Sequence, residues 1–243
     1  MLTAHPTEVN RRTFIHKHHE IAEQLADIEA NQDRIAELIQ QAWFTNEIRQ
    51  ERPTPLDESG WGLETIADSL WHAVPVFLRE LNDLSRQALG KDLPLDYAPV
   101  TMASWMAGDR DGNPFVTAKL SQQAIIKARL VAAELYLQDF ESLHLELSMG
   151  RADDDLIAQD HNRHGPYRNI LATTIEQLKT SISQLKQGKT EGVIDSAEQL
   201  LQPLTTCYQS LVNNGLSAIA DSKLIDVIRR LHCFGISMVK LDI

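Results

Sequence analysis

Three places in this sequence hold side chains able to do chemistry. The first is Leu2-Thr3-Ala4-His5-Pro6-Thr7-Glu8, with Arg11 and Arg12 behind it. An unperturbed imidazole titrates at about pH 6.5, so His5 suits a general base. Pro6 restricts the residue before it to extended geometry, which helps aim the ring. Guanidinium forks grip carboxylate or phosphate in bidentate fashion, which makes Arg11 and Arg12 candidates for an anion or effector site. Consecutive helix positions diverge by about 100°, so the two are not expected to serve one ligand. The plainer alternatives are a histidine satisfying a turn hydrogen bond and two arginines on a solvated face near Glu8. The second place is Trp105 with Asp109-Arg110-Asp111, inside the turn-rich stretch Gly108-Asp109-Arg110-Asp111-Gly112-Asn113-Pro114. The third is Asp242, one residue from the end.

Other polar groups read as solvated. His16, His18 and His19 have no partner cysteines and no HExxH spacing, so a zinc site is not expected there. The same holds for His161 and His164. The acidic run Asp153 to Asp155 lacks the glycine and terminal glutamate of a calcium loop.

The elements that must position these residues are mostly helical. Phe14, Ile15, Ile21, Leu25 and Ile28 recur at helical spacing after a plausible Thr7 cap with Glu8 in the first turn. A second helix is predicted from Asp33 to about Arg52, ended by Arg52-Pro53-Thr54-Pro55. A third runs from about Leu63 to Leu89, kinked at Pro75 and stopped at Gly90. Residues 99–107 are short, nearly continuously apolar and uncharged, the pattern of a strand buried on both faces. Thr117 then caps a helix reaching about Ser148. Residues 149–165 read as a polar loop. Further helices are predicted from Pro166 to about Lys186, Ser196 to Asn213 and Ser217 to His232. A strand pattern closes the chain over 235–243.

The fold class is therefore mostly α with a few parallel strands: strands near 1–5, 99–107 and 235–243, and helical stretches near 8–90 and 118–233. His5, Asp109-Arg110-Asp111 and Asp242 all follow strands, where parallel α/β sheets and barrels build their sites. Both ends read as cut strands, so residues 1–243 are expected to be one piece of a larger domain.

Composition narrows the classes. A net charge of −11 argues against a nucleic-acid surface, while leaving room for a local basic pocket that takes an anion. Cys207 and Cys233 are the only cysteines and form no CxxC pair, which excludes a disulfide scaffold. No apolar run approaches the roughly 18 residues of a membrane span, and no signal-peptide pattern opens the chain, so the expected compartment is the cytoplasm.

At this point the motifs carry a resemblance. Leu2 to Glu8 with Arg11-Arg12 resembles the histidine motif of the phosphoenolpyruvate carboxylase family. Trp105-Met106-Ala107-Gly108-Asp109-Arg110-Asp111-Gly112-Asn113-Pro114 resembles that family's WMGGDRDGNP motif. Phe234 to Ile243 resembles the start of its FGLxxxxLDIRQES segment, and Pro166-Tyr167-Arg168 a weaker pattern between. The resemblance implies a partial (β/α)₈ TIM-type barrel with large helical insertions. It implies a Mg²⁺-dependent lyase joining phosphoenolpyruvate and bicarbonate into oxaloacetate and phosphate, in an allosteric homotetramer. His5 would act as base on carboxyphosphate. Trp105 would wall the substrate site, with a large core residue as the rival reading. Arg110 would bind the substrate anion, or be held between Asp109 and Asp111 as a structural ion pair. Asp109 and Asp111 suit Mg²⁺ by type, but the family's metal ligands are expected beyond Ile243, so no metal ligand is assigned here. This piece alone is expected to be inactive. Ala107 stands where the family usually has glycine. The rival class is a non-enzymatic helical regulatory or phosphohistidine-carrying module, which would contain no buried strands.

Overall fold

The computed structural model describes residues 12–45, 54–110, 112–160 and 165–242. His5, Arg11, Asp111, His161, His164 and the strand expected near 1–5 lie outside the described residues. The chain divides into two compact units, Met1–Thr54 and Pro55–Ile243.

In the first unit, α1 (Arg12–Gln24) and α2 (Ile28–Trp43) pack together across a 3₁₀ turn at Leu25–Asp27. The break falls earlier than the apolar spacing predicted because Asp27 caps α2, accepting the Ala30 amide at 3.2 Å. Ile28 therefore opens the second helix instead of closing the first. Lys17 ties the pair together, donating to the Gln41 carbonyl (2.8 Å) and the Thr45 hydroxyl (2.6 Å). His16 and His19 face Glu20 and Glu23 one turn on, at 3.5 and 3.4 Å, on exposed surface.

The second unit opens with α3 (Pro55–Thr65), a π-helical turn at Ile66–Leu70 and α4 (Trp71–Leu89). The helix starts eight residues before the predicted Leu63. Its signals are Pro55 at the first position, whose missing N–H is not needed there, and Asp57 and Glu58 in the first turn. Gly60 and Gly62 disguise it, and both are used for close packing: Lys127 lies against Gly60 and Met106 against Gly62. Pro75 sits inside α4 and cannot donate to the Trp71 carbonyl. Arg230 does so instead, through Nε at 2.8 Å. The irregularity lies one turn upstream, in the π turn.

Thr117 caps α5 (Ala118–Glu146), its hydroxyl accepting the Leu120 amide at 3.3 Å. α5 is apolar on several sides because it is sandwiched between α3 and α7 (Pro166–Lys186). α7 runs back along it: Lys186 meets Glu134 at 2.8 Å, while Arg168 donates to the His144 and Leu145 carbonyls at 3.0 and 3.1 Å. Pro166-Tyr167-Arg168 thus has structural work here. Arg168 satisfies last-turn carbonyls of α5, and the buried Tyr167 hydroxyl donates to the Arg151 carbonyl at 3.0 Å.

The polar stretch 149–165 contains a short helix, α6 (Asp154–Gln159), with Ala152 and Leu156 buried. Asp153 anchors it to the end of α8 (Glu198–Asn213), accepting from the side chains of Asn214 (2.8 Å) and Asn213 (3.1 Å). A three-residue helix, α9 (Ser217–Ile219), a π turn at Ala220–Leu224 and α10 (Ile225–Phe234) complete the helical part, with α10 packed on α4 and α8. No helix among the described residues is long and apolar enough to cross a membrane.

The strands correct the sequence reading. β1 (Ala103–Ser104) and β2 (Lys240–Leu241) are two residues each and pair in parallel, Ala103 opposite Lys240 and Ser104 opposite Leu241. Residues 99–107 are not buried on both faces. Thr101, Ala103 and Trp105 are exposed and alternate with half-buried Met102, Ser104 and Met106. One face lies toward α3 and α5 across a cavity of about 300 Å³ lined by Leu63, Ala124, Ala128 and Leu241, and the other has no described neighbour covering it. Each strand has one described partner, and the parallel ladder between them spans two residues of each. Among the described residues no barrel is closed.

Candidate functional site

Parallel pairing sends both chains out of the sheet at the same end. The Lys240 amide donates to the Met102 carbonyl at 3.0 Å, and the Asp242 amide to the Ser104 carbonyl at 2.9 Å. The loop carrying Asp109 and Arg110 therefore starts beside Asp242. A tight turn follows β1, in which the Trp105 carbonyl accepts two amides, Gly108 at 2.8 Å and Asp109 at 2.9 Å. Ala107 takes a left-handed conformation, φ +66°, which costs an L-residue about 1 kcal/mol. The Ser121 hydroxyl in the first turn of α5 holds it there, donating to the Ala107 carbonyl at 2.6 Å in a buried position.

Gly108 is where the two chain segments meet. A Cβ there would lie 2.1 Å from the Asp242 carbonyl oxygen and 3.0 Å from Leu241 Cγ. Only a hydrogen fits, so glycine sets the separation between the loop and the end of β2. Further along, Gly112 turns the chain with φ +65°, the Asn113 amide donates to the Arg110 carbonyl at 3.2 Å, and the Asn113 side chain accepts the Phe115 amide at 3.0 Å. Hydrogen bonds hold the described parts of the loop, 105–110 and 112–116.

β2 is positioned from the other side. Gly235 ends α10 with φ +62° and ψ −150°, a region open to glycine. Its carbonyl accepts the buried Tyr136 hydroxyl of α5 at 2.8 Å. Burial pushes the Tyr136 phenol well above its ordinary pKa, so it stays a donor at any physiological pH. Tyr136 also packs edge-on to Trp71, ring centroids 4.8 Å apart, and Trp71 stacks against Phe234 at 5.3 Å. Arg230 lies 5.1 Å from the Trp71 ring and contacts both Asp139 oxygens at 2.9 and 3.1 Å. Burial outweighs that partner and leaves the Asp139 carboxyl above its ordinary pKa.

The structure thus brings Trp105, Asp109, Arg110 and Asp242 to one end of the parallel pair. Trp105 is 39% exposed, so it is not a core residue of this chain. Asp109 and Arg110 are exposed as well. Arg12 is the first residue of α1. Among the described residues no group of three or more His, Cys, Asp or Glu side chains could hold a metal ion. The magnesium implied by the resemblance has no ligand set among the described residues. Sequence reasoning missed the supports: Ser121, Tyr136 and the contact of Gly108 with Asp242. A glycine directly after a strand end was the one visible signal, since such glycines mark close backbone approach.

A family model described as phosphoenolpyruvate carboxylase matches residues 1–243. Curated relatives of that name match the whole chain. The protein from Shewanella loihica is 48% identical over 261 residues, that from Psychromonas ingrahamii 46% over 261, and that from Acinetobacter baumannii 46% over 260. The chain spans 30% of the length of the first two relatives and 29% of the third.

Proposed function

The chain belongs to the phosphoenolpyruvate carboxylase family, and from that premise we propose that it carries the base-bearing part of an active site that carboxylates phosphoenolpyruvate. The supporting observation is the common exit of the Trp105–Arg110 loop and Asp242 from one end of a parallel pair, held at contact distance by Gly108. In a (β/α)₈ barrel that end carries the chemistry. β1 and β2 are then two neighbouring staves of the barrel.

A bicarbonate oxygen attacks the phosphoryl phosphorus, and the bond from phosphorus to the enol oxygen breaks, giving carboxyphosphate and the enolate of pyruvate. His5 takes the carboxyl proton. The bond between the carboxyl carbon and the phosphate oxygen then breaks, releasing CO₂ and phosphate, and the enolate carbon attacks CO₂ to form oxaloacetate. Arg110 binds a substrate anion with its guanidinium fork. Trp105 screens the enolate from water, which would protonate it. One of Arg11 and Arg12 serves an anion or effector site, since the two do not share a helix face. Magnesium, with its ligands expected in sequence outside these residues, would supply neutralisation of negative charge. The complete enzyme is a cytoplasmic homotetramer.

The test uses the complete protein in an assay that couples oxaloacetate to NADH oxidation. His5→Asn is expected to lower turnover at least about 100-fold, the lower range for a general base. Turnover equal to wild type overturns the assignment. Residues 1–243 alone are expected to form no oxaloacetate.

A further inference from the structure

A second cavity, of about 270 Å³, lies where α4, α8 and α10 meet. Arg229 of α10 lines it and is only 4% exposed. Its acidic neighbours are already engaged. Asp226 accepts from Arg79 Nε at 2.8 Å and Nη2 at 2.5 Å. Asp92 accepts from the Asn82 side chain at 2.9 Å and from Arg86. Asp221 accepts the Tyr208 hydroxyl at 2.8 Å. Among the described residues the Arg229 guanidinium forms no hydrogen bond and no ion pair. Every fully buried side-chain nitrogen or oxygen among those residues has a hydrogen-bond partner. The guanidinium nitrogens of Arg229 therefore keep their residual contact with the cavity. A buried cation with idle donors is costly and calls for an acceptor. Burial lowers the Arg229 pKa, yet arginine remains charged in proteins.

The lining selects the acceptor. A guanidinium fork matches a planar pair of oxygens, as in a carboxylate. Asp83, Asp92 and Asp221 line the same space with Arg79, Arg86 and Arg229. Arg79 is paired with Asp226 and Arg86 with Asp92, so Arg229 is the lining cation left for a ligand, and a single negative charge matches it better than two. Leu93, Leu95 and Ile225 supply an apolar wall that suits a short hydrocarbon tail.

We propose that this cavity binds a small monocarboxylate, its carboxylate on Arg229 and its tail against Leu93, Leu95 and Ile225. The proposal does not depend on the carboxylation reading.

Titration calorimetry of the 243-residue chain with sodium butyrate, sodium phosphate and sodium chloride at equal ionic strength tests it. Butyrate is expected to bind saturably at one site, phosphate at least tenfold more weakly, and chloride not at all. Arg229→Lys keeps the charge but loses the fork, and should weaken butyrate at least tenfold. Leu95→Trp fills the apolar side with Arg229 intact and should abolish binding, which decides the matter even if the Arg229 variant fails to fold. Butyrate heats no larger than those of chloride, phosphate binding tighter than butyrate, or unchanged butyrate binding in Leu95→Trp each overturns the proposal.

Discussion

Gly108 and Ala107 show how little room the loop after β1 has. Gly108 meets the Asp242 carbonyl so closely that a methyl group must displace either the loop or β2. Gly108→Ala is therefore expected to destabilise the chain by about 1–3 kcal/mol, the range for overpacking a tight site. A urea melt reads this as a lower midpoint at unchanged slope, and an unchanged midpoint contradicts the contact. Ala107 was visible in the sequence as the one departure from the glycine usual in the motif. What its methyl group meets was not, because alanine carries no mark of a left-handed φ. The buried hydrogen bond from Ser121 keeps it there. Trp105 likewise could be assigned to core or site from sequence only as alternatives, since both favour a large aromatic at a strand end.

At the level of helices, proline positions were legible but their consequences were not. Pro75 predicted a kink; the structure answers with a π turn upstream and with Arg230, 155 residues further on, bonding the Trp71 carbonyl that Pro75 cannot reach. Arg230 also pairs with Asp139, and both side chains are largely buried. Arg230→Met removes one partner of that pair and leaves Asp139 and the Trp71 carbonyl unsatisfied. The expected cost is about 3–5 kcal/mol. Lys179→Met, which breaks half-exposed pairs with Glu141 and Glu176, should cost at most about 1 kcal/mol. Thermal melts of the two variants compare them directly, and equal Tm values would refute the role given to Arg230. The early start of α3 was written in Pro55, Asp57 and Glu58, and two glycines hid it.

Across the larger unit, one apolar cluster runs from Leu63 to Val239 and takes in both cysteines. Cys207 is fully buried, and burial alone pushes its thiol up to about 12. Cys233 is 4% exposed, and burial raises its thiol too. Neither is expected to react with a thiol reagent in the folded chain at neutral pH, and both should react in denaturant. Labelling rates should follow opening of the unit as urea is raised. Rapid labelling without denaturant would contradict this packing.

Local information decided the long helices. Thr117 with the apolar spacing behind it marked Ala118–Glu146, and Pro166 with its own spacing marked Pro166–Lys186, because caps and i, i+4 neighbours lie within one helix turn of each other. The three motifs likewise placed the chain in its family without any coordinates. The tertiary structure alone decided the length of the strands, the partners of Arg230 and Gly235, and the idle guanidinium of Arg229. Each depends on groups distant in sequence. A strand is only as long as the ladder its neighbour supplies, and a buried charge is satisfied only by what the fold brings beside it.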